Sequence, residues 1–131
     1  MQLGIRRQTF LQSDQTWLGS AHGTDNARSV TVVTTSLTPA THFPNGFLPS
    51  GLPLAQYTSG ANLGKYTVYT SGGANGAGTL VGFLLQAVPV HDPAVDAVGA
   101  MLDHGRVVAA RLPISVDAAG QNAVAGRIWF V

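Results

Sequence analysis

Between Phe47 and Leu85 the chain alternates short apolar runs with glycine-rich turns. Pro49-Ser50-Gly51-Leu52-Pro53 reads as a turn that releases an extended segment, Leu54 to Thr58. Ser59 to Gly64 reads as a second turn. Tyr66-Thr67-Val68-Tyr69-Thr70 alternates aromatic and β-branched residues, which predicts a strand. Ser71 to Gly78 carries four glycines, too many for a helix, and predicts a flexible hairpin connection. Thr79 to Val90 is the most apolar run in the chain and predicts its central strand.

The flanking regions are less periodic. Residues 1–28 scatter Leu3, Ile5, Phe10, Leu11, Trp17 and Leu18 among polar residues, with neither a helical nor a strand period, and predict an arm preceding a domain at 29–131. Two readings are open for Trp17. It folds back onto its own core, or it anchors the arm on a partner, since Trp is favoured at interface hot spots. Val30 to Leu37 predicts a strand, and Thr38 to Pro53, with four prolines and Asn45-Gly46, a chain of turns. His91 to Asp103 predicts a connector, either a short helix or a loose loop, because Ala94, Val95, Val98, Met101 and Leu102 have helix-like spacing that Gly99 weakens. Arg106 to Arg111 predicts a strand stopped by Pro113. Asp117 is placed to cap a helical turn over Ala118 to Val124, and Arg127 to Val131 predicts a closing strand.

Composition sharpens this to a mainly β fold with one or two short helices. Glu is absent and Lys occurs once, at Lys65, whereas both normally cover exposed helix faces. Sixteen glycines and seven prolines point the same way. The formal net charge is +1, and the basic residues are scattered beyond Arg6-Arg7, so there is no phosphate-neutralising stripe and no nucleic acid is expected as a partner. Charged residues are only 10%, which leaves a surface suited to burial against other protein. With no Cys there is neither a disulfide framework nor thiolate chemistry. The first dozen residues lack the apolar core of a secretory signal. The longest apolar run is shorter than the roughly 20 residues of a spanning helix, so no membrane partner is expected and a soluble, intracellular protein is.

The candidate chemistry is thin. Gly73 and Gly78 have the spacing of a phosphate loop, but Thr79 stands where its Lys belongs. His91-Asp92 and Asp103-His104 carry metal-ligand residue types, yet adjacent side chains diverge in an extended segment. His22 and His42 read as plain surface residues. No Ser lies in a GxSxG elbow, and Arg106 and Arg111 are the groups suited to a ligand carboxylate. No catalytic, cofactor or metal residue is expected.

Three stretches in order carry a family likeness: Leu-Pro-Ser-Gly-Leu-Pro-Leu (48–54), Gly64-Lys65-Tyr66-Thr67-Val68-Tyr69, and Ala77-Gly78-Thr79-Leu80-Val81-Gly82-Phe83-Leu84-Leu85. With Arg106-Val107-Val108, Arg111-Leu112-Pro113 and a closing Ala125-Gly126 before a strand, they resemble the lambda-type head decoration proteins of tailed bacteriophages over residues 30–131. Here Gly82-Phe83-Leu84 stands where members typically carry Gly-Ile-Leu. The resemblance implies a small β-barrel or β-tulip-like domain with an extended N-terminal arm. It implies a non-enzymatic cement that binds as homotrimers at local three-fold axes of the expanded head. The partners would be the major capsid protein and further copies of itself, and the location the outer capsid surface, reached from the host cytoplasm during assembly. Thr16, Trp17, Leu18, Thr24 and Arg28 are the arm's candidate partner-binding residues. The alternatives are another oligomeric virion module of tail or fibre, and a small ligand-binding β-barrel.

Overall fold

A computed structural model describes residues 13–131. The strands are β1 (Arg28–Val32), β2 (Phe47–Leu48), β3 (Pro53–Gln56), β4 (Tyr66–Val68), β5 (Leu80–Leu84), β6 (Val88–Pro89), β7 (Ala97–Leu102), β8 (Gly105–Val107) and β9 (Ile128–Phe130). Two short helices, α1 (Pro39–His42) and α2 (Ala118–Ala123), complete the mainly β fold. Five strands close into a barrel in the order β1-β4-β3-β5-β7. β7 returns to β1 in antiparallel register, Arg28 opposite Met101 through Val32 opposite Ala97. The β1–β4 seam is parallel and short, with Val32 opposite Tyr66 and the Val33 N–H donating to the Tyr66 carbonyl at 2.8 Å. β2–β6 and β8–β9 form separate two-stranded ladders, the second parallel.

Strand alternation divides the core into two layers. Val30, Val32, Leu54, Val68, Leu84 and Met101 come from all five barrel strands and pack in one cluster, which fills the barrel. Their neighbours Ala55, Phe83, Leu85 and Leu102 belong to a second cluster with Trp17, Val107, Val124 and Ile128. That outer layer is roofed by the N-terminal segment, α2, β8 and β9. β5 is therefore buried on both faces, which accounts for the unbroken apolar run there. A β-bulge adjusts it: Leu54 faces Gly82 while Ala55 faces Leu80, so Val81 is the extra residue. It changes the alternation, with Val81 packing toward the barrel layer and both Leu80 and Phe83 toward the outer one. Gly82 is required beside the bulge, because a Cβ there would run into the Leu102 carbonyl oxygen and lie 2.9 Å from Met101 Cγ.

Several expectations are corrected. His91 to Asp103 contains β7, neither helix nor loose loop. Met101 and Leu102 are both buried because the end of the strand lies between the two layers, and that mimics a helical repeat. The apolar run 79–90 is two strands broken at Leu85–Ala87, where the chain leaves the barrel for β6. The Ser71–Gly78 connection is not a hairpin. β3 lies between β4 and β5, so the loop crosses the end of β3, with the Thr58 N–H donating to the Asn75 carbonyl at 2.8 Å. The strand expected at 30–37 runs Arg28–Val32 and gives way to a 3₁₀ turn, Thr34–Ser36. There the Thr34 hydroxyl donates to the Pro93 and Val95 carbonyls. The strand expected at 106–111 is Gly105–Val107, followed by a 3₁₀ turn at Ala109–Arg111.

Asp117 caps α2 as its position suggests, accepting from the Gly120 N–H at 2.9 Å and from the Tyr69 hydroxyl at 2.6 Å. Hydrogen bonding from the Ser71 hydroxyl, then the Tyr69 hydroxyl and the Gly120 amide, holds its pKa down to about 2. Donating that bond to Asp117 raises the pKa of the Tyr69 phenol. A carboxyl whose folded pKa lies below its unfolded value of 3.8 stabilises the fold fully above that value and loses the contribution as pH falls through about 2.

Two measurements follow. Asp117→Asn is expected to lower the Tm at pH 7, with the gap to wild type closing as the pH approaches 2; a gap independent of pH would assign the effect to packing alone. Gly82→Ala is expected to cost about 1–3 kcal/mol in urea unfolding, because the clash is with backbone that cannot rotate away. An unchanged midpoint would mean that the β5–β7 spacing is not fixed.

Candidate interaction surface

The N-terminal segment from Ser13 to Asn26 is built onto the barrel. Trp17 is 1% exposed and lies in the outer layer, its ring centroid 5.8 Å from that of Phe83. Its indole N–H donates to the Ser50 hydroxyl at 2.9 Å, and Ser50 donates onward to the Leu85 carbonyl at 2.7 Å. The Gln15 side-chain amide donates to the same carbonyl at 2.8 Å, and the Ala87 N–H donates to the Ser13 hydroxyl at 3.0 Å. Leu18 bridges Val107 in antiparallel fashion, flanked by the Val108 N–H donating to the Trp17 carbonyl and the Gly19 N–H donating to the Arg106 carbonyl. β8 thus has the N-terminal segment on one edge and β9 on the other. The turn at 49–53 is what admits Trp17. Gly51 has φ +89°, and a Cβ on it would stand 2.9 Å from the indole.

Of the expected partner-binding residues, Trp17 is taken by the core and presents nothing to a partner. Leu18 is half-buried, and Thr24 turns its hydroxyl to the Ala21 carbonyl. Thr16 is exposed, donating from its amide and its hydroxyl to Asp14, whose carboxyl these bonds lower. Arg28 is exposed, and its guanidinium lies 3.8 Å from the Asp103 carboxylate. Leu18 and Thr24 line one surface depression with Gln15 and Leu85, while Trp17 lies in the core. The boundary drawn after residue 28 falls inside β1, whose first residue is Arg28. The remainder of the expected arm, 1–12, lies outside the described residues.

A different surface emerges around β9. Trp129 is 61% exposed and Val131 64% exposed, and the Arg106 guanidinium lies over the Trp129 ring, 5.5 Å from its centroid. Val131 is held against β8, its N–H donating to the Val107 carbonyl at 2.9 Å. Among the described residues no strand pairs with the outer edge of β9. Val95 and Val98 are also exposed, away from this site, beside the Lys65–Asp96 ion pair at 2.7 Å.

The acid–imidazole pairs do not form one centre. His91 and Asp92 line a surface depression with Val95 and Asp96, whereas His104 meets His22. No group of three or more metal-ligating side chains converges among the described residues. The phosphate-loop reading of 73–79 also lapses, since that loop runs into β5 and no helix. Arg106 stacks on Trp129, and Arg111 lies apart from it, lining a surface depression with Asp14. No helix among the described residues is long and apolar enough to cross a membrane.

Sequence reading missed the His22–His104 contact. The signal was a repeated dipeptide, His22-Gly23 and His104-Gly105. No protein-family model matches the chain, and no curated protein matches it. Function is therefore argued from the chain's own residues.

The two tryptophans separate core from surface. Trp17→Ala is expected to cost about 3–5 kcal/mol by denaturant unfolding, as a large aromatic lost from a packed core. Trp129→Ala is expected to cost less than about 1 kcal/mol. Equal losses would contradict the division.

Proposed function

We propose that the chain is a structural virion protein, a decoration or cement protein of a tailed-phage head. The observation that carries this reading is where the ordered motifs fall. Leu48–Leu54 is the turn that enters β3, Gly64–Tyr69 is β4 with its flanks, and Ala77–Leu85 is β5 with the turn before it. These three strands are neighbours in the barrel. The likeness therefore follows one contiguous piece of architecture. The sparse charge and an interior filled with aliphatic side chains support a packing role over a ligand-carrying one.

The physical logic is multivalency. A trimer seated where three capsomers meet must break its contacts together, so modest individual interfaces add up to a durable bond. Binding that requires the three sites to be aligned selects the expanded lattice. The exposed Trp129–Val131 surface is the region from which such a protein would make its protein contacts.

The test is co-sedimentation with expanded, undecorated heads of the phage that encodes the chain. Saturation near one copy per capsid subunit, with no binding to unexpanded shells, is the expected result. Absence of binding to both shells would overturn the reading in favour of a tail or fibre module. Removal of residues 1–12 is expected to abolish capture while leaving the Tm unchanged, because the packing of Trp17 is retained; undiminished capture would remove the arm from the mechanism. Removal of 1–28 would not serve, since it takes Trp17 out of the core.

A further inference from the structure

His22 and His104 are brought together by a reciprocal backbone fit. Each precedes a glycine of positive φ, Gly23 at +81° and Gly105 at +151°. A Cβ on Gly23 would run into the His104 carbonyl oxygen, and one on Gly105 would stand 2.6 Å from the His22 carbonyl oxygen. The two dipeptides thus cross where only glycine fits. The crossing sets His22 Nε2 2.7 Å from His104 Nδ1, with ring centroids 4.7 Å apart.

Beside the pair is a cavity of about 130 Å³, lined by His22, His104, Gly105, Gly126, Arg127 and Trp129. Arg127 is fixed at its edge, with Nη1 donating to the Val81 carbonyl at 3.1 Å and the Asp103 carbonyl at 3.0 Å. Trp129 supplies an apolar wall, carrying Arg106 over its ring. The other charged groups around the imidazoles are Asp25, which shares a depression with both rings, and the Asp103 carboxylate, which faces Arg28. Among the described residues no carboxylate lines the cavity itself.

The hydrogen bond between two imidazoles needs one bare ring nitrogen. When both rings are protonated, two N–H groups point at each other and the bond is lost, unless an anion accepts from both. The guanidinium of Arg127 adds a third donor-bearing cation. We infer that this cavity receives the carboxylate of an aspartate or glutamate side chain from a partner protein, and that its capture is coupled to proton uptake by the His22–His104 pair. The cavity volume suits one acidic side chain, and the indole wall suits its methylene stem. A nucleic acid would need a phosphate-tracking basic stripe, which the scattered bases of this chain do not form. The inference does not depend on the decoration reading, because the receiving chemistry is the same for any acidic partner surface.

The experiment is an NMR titration of the full chain with N-acetyl-glutamate N-methylamide at pH 7.5, 6.5 and 5.5, following the Trp129 indole N–H and the histidine ring signals. The glutamine analogue and inorganic phosphate are run in parallel. The expected result is saturable shifts with the glutamate probe and none with the glutamine one. The Kd should tighten as pH falls, by up to about tenfold per unit where one proton is taken up. His104→Gln is expected to remove that pH dependence, with the Trp17 emission unchanged as a check on the fold, and His22→Gln to do the same. A Kd independent of pH, equal shifts with the glutamine probe, or saturation by phosphate where glutamate produces none would each overturn the inference.

Discussion

The two-sided burial of β5 is the constraint from which the rest of this architecture follows. A strand with apolar side chains on both faces cannot border solvent on either. One face is satisfied by closing the barrel around Leu54, Leu84 and Met101. The other demands a roof, and no single element of this short chain is large enough to supply it. The roof is therefore assembled from distant pieces: Trp17 from the start, Val107 from β8, Val124 beside α2 and Ile128 from β9. The Leu85 carbonyl, just past β5, takes donors from both Gln15 and Ser50, so its hydrogen-bond demand helps hold the roof at the strand's end.

What could be read from the sequence was what depends on near neighbours. The β content, the turn at 59–64, a strand opening at Tyr66 and the Asp117 cap each rest on local backbone preference, and each is present, although the strand expected over Tyr66–Thr70 ends at Val68. What could not be read depended on which strands lie side by side. β3 separates β4 from β5, so an apparent hairpin is a crossover. β7 was obscured because its end is buried on both faces, leaving Met101 and Leu102 adjacent and both inside, while an apolar Val98 stands exposed where a polar residue would mark the alternation. Trp17 had two open readings because a single large aromatic in a polar stretch suits a core and an interface equally. Ser50 and Gly51 decide between them, and they lie far off in sequence. The β9 surface and the paired histidines needed the parallel β8–β9 ladder, which no local pattern announces.

In functional terms the molecule keeps its rigid and its available parts apart. The barrel interior and the roof use the large aliphatic and aromatic side chains for packing. The exposed chemistry is concentrated where the turn after β7, the N-terminal segment and β9 meet. There the two imidazoles bond to each other, Arg127 is tied to two backbone carbonyls, Arg106 lies over the Trp129 ring, and much of that indole remains exposed.

The closing seams also govern how the chain can fold during synthesis. β1 leaves the ribosome early, yet its antiparallel partner is β7, and Leu18 waits for Val107. The nascent chain can pair β3 with β4 and β5 before β7 emerges, but the barrel cannot close until β7 meets β1 and β5, and β8 keeps an open edge until β9 follows. Such non-local closure places folding in the slow, millisecond-to-second regime of β proteins, and it makes truncated products more prone to aggregate than to fold.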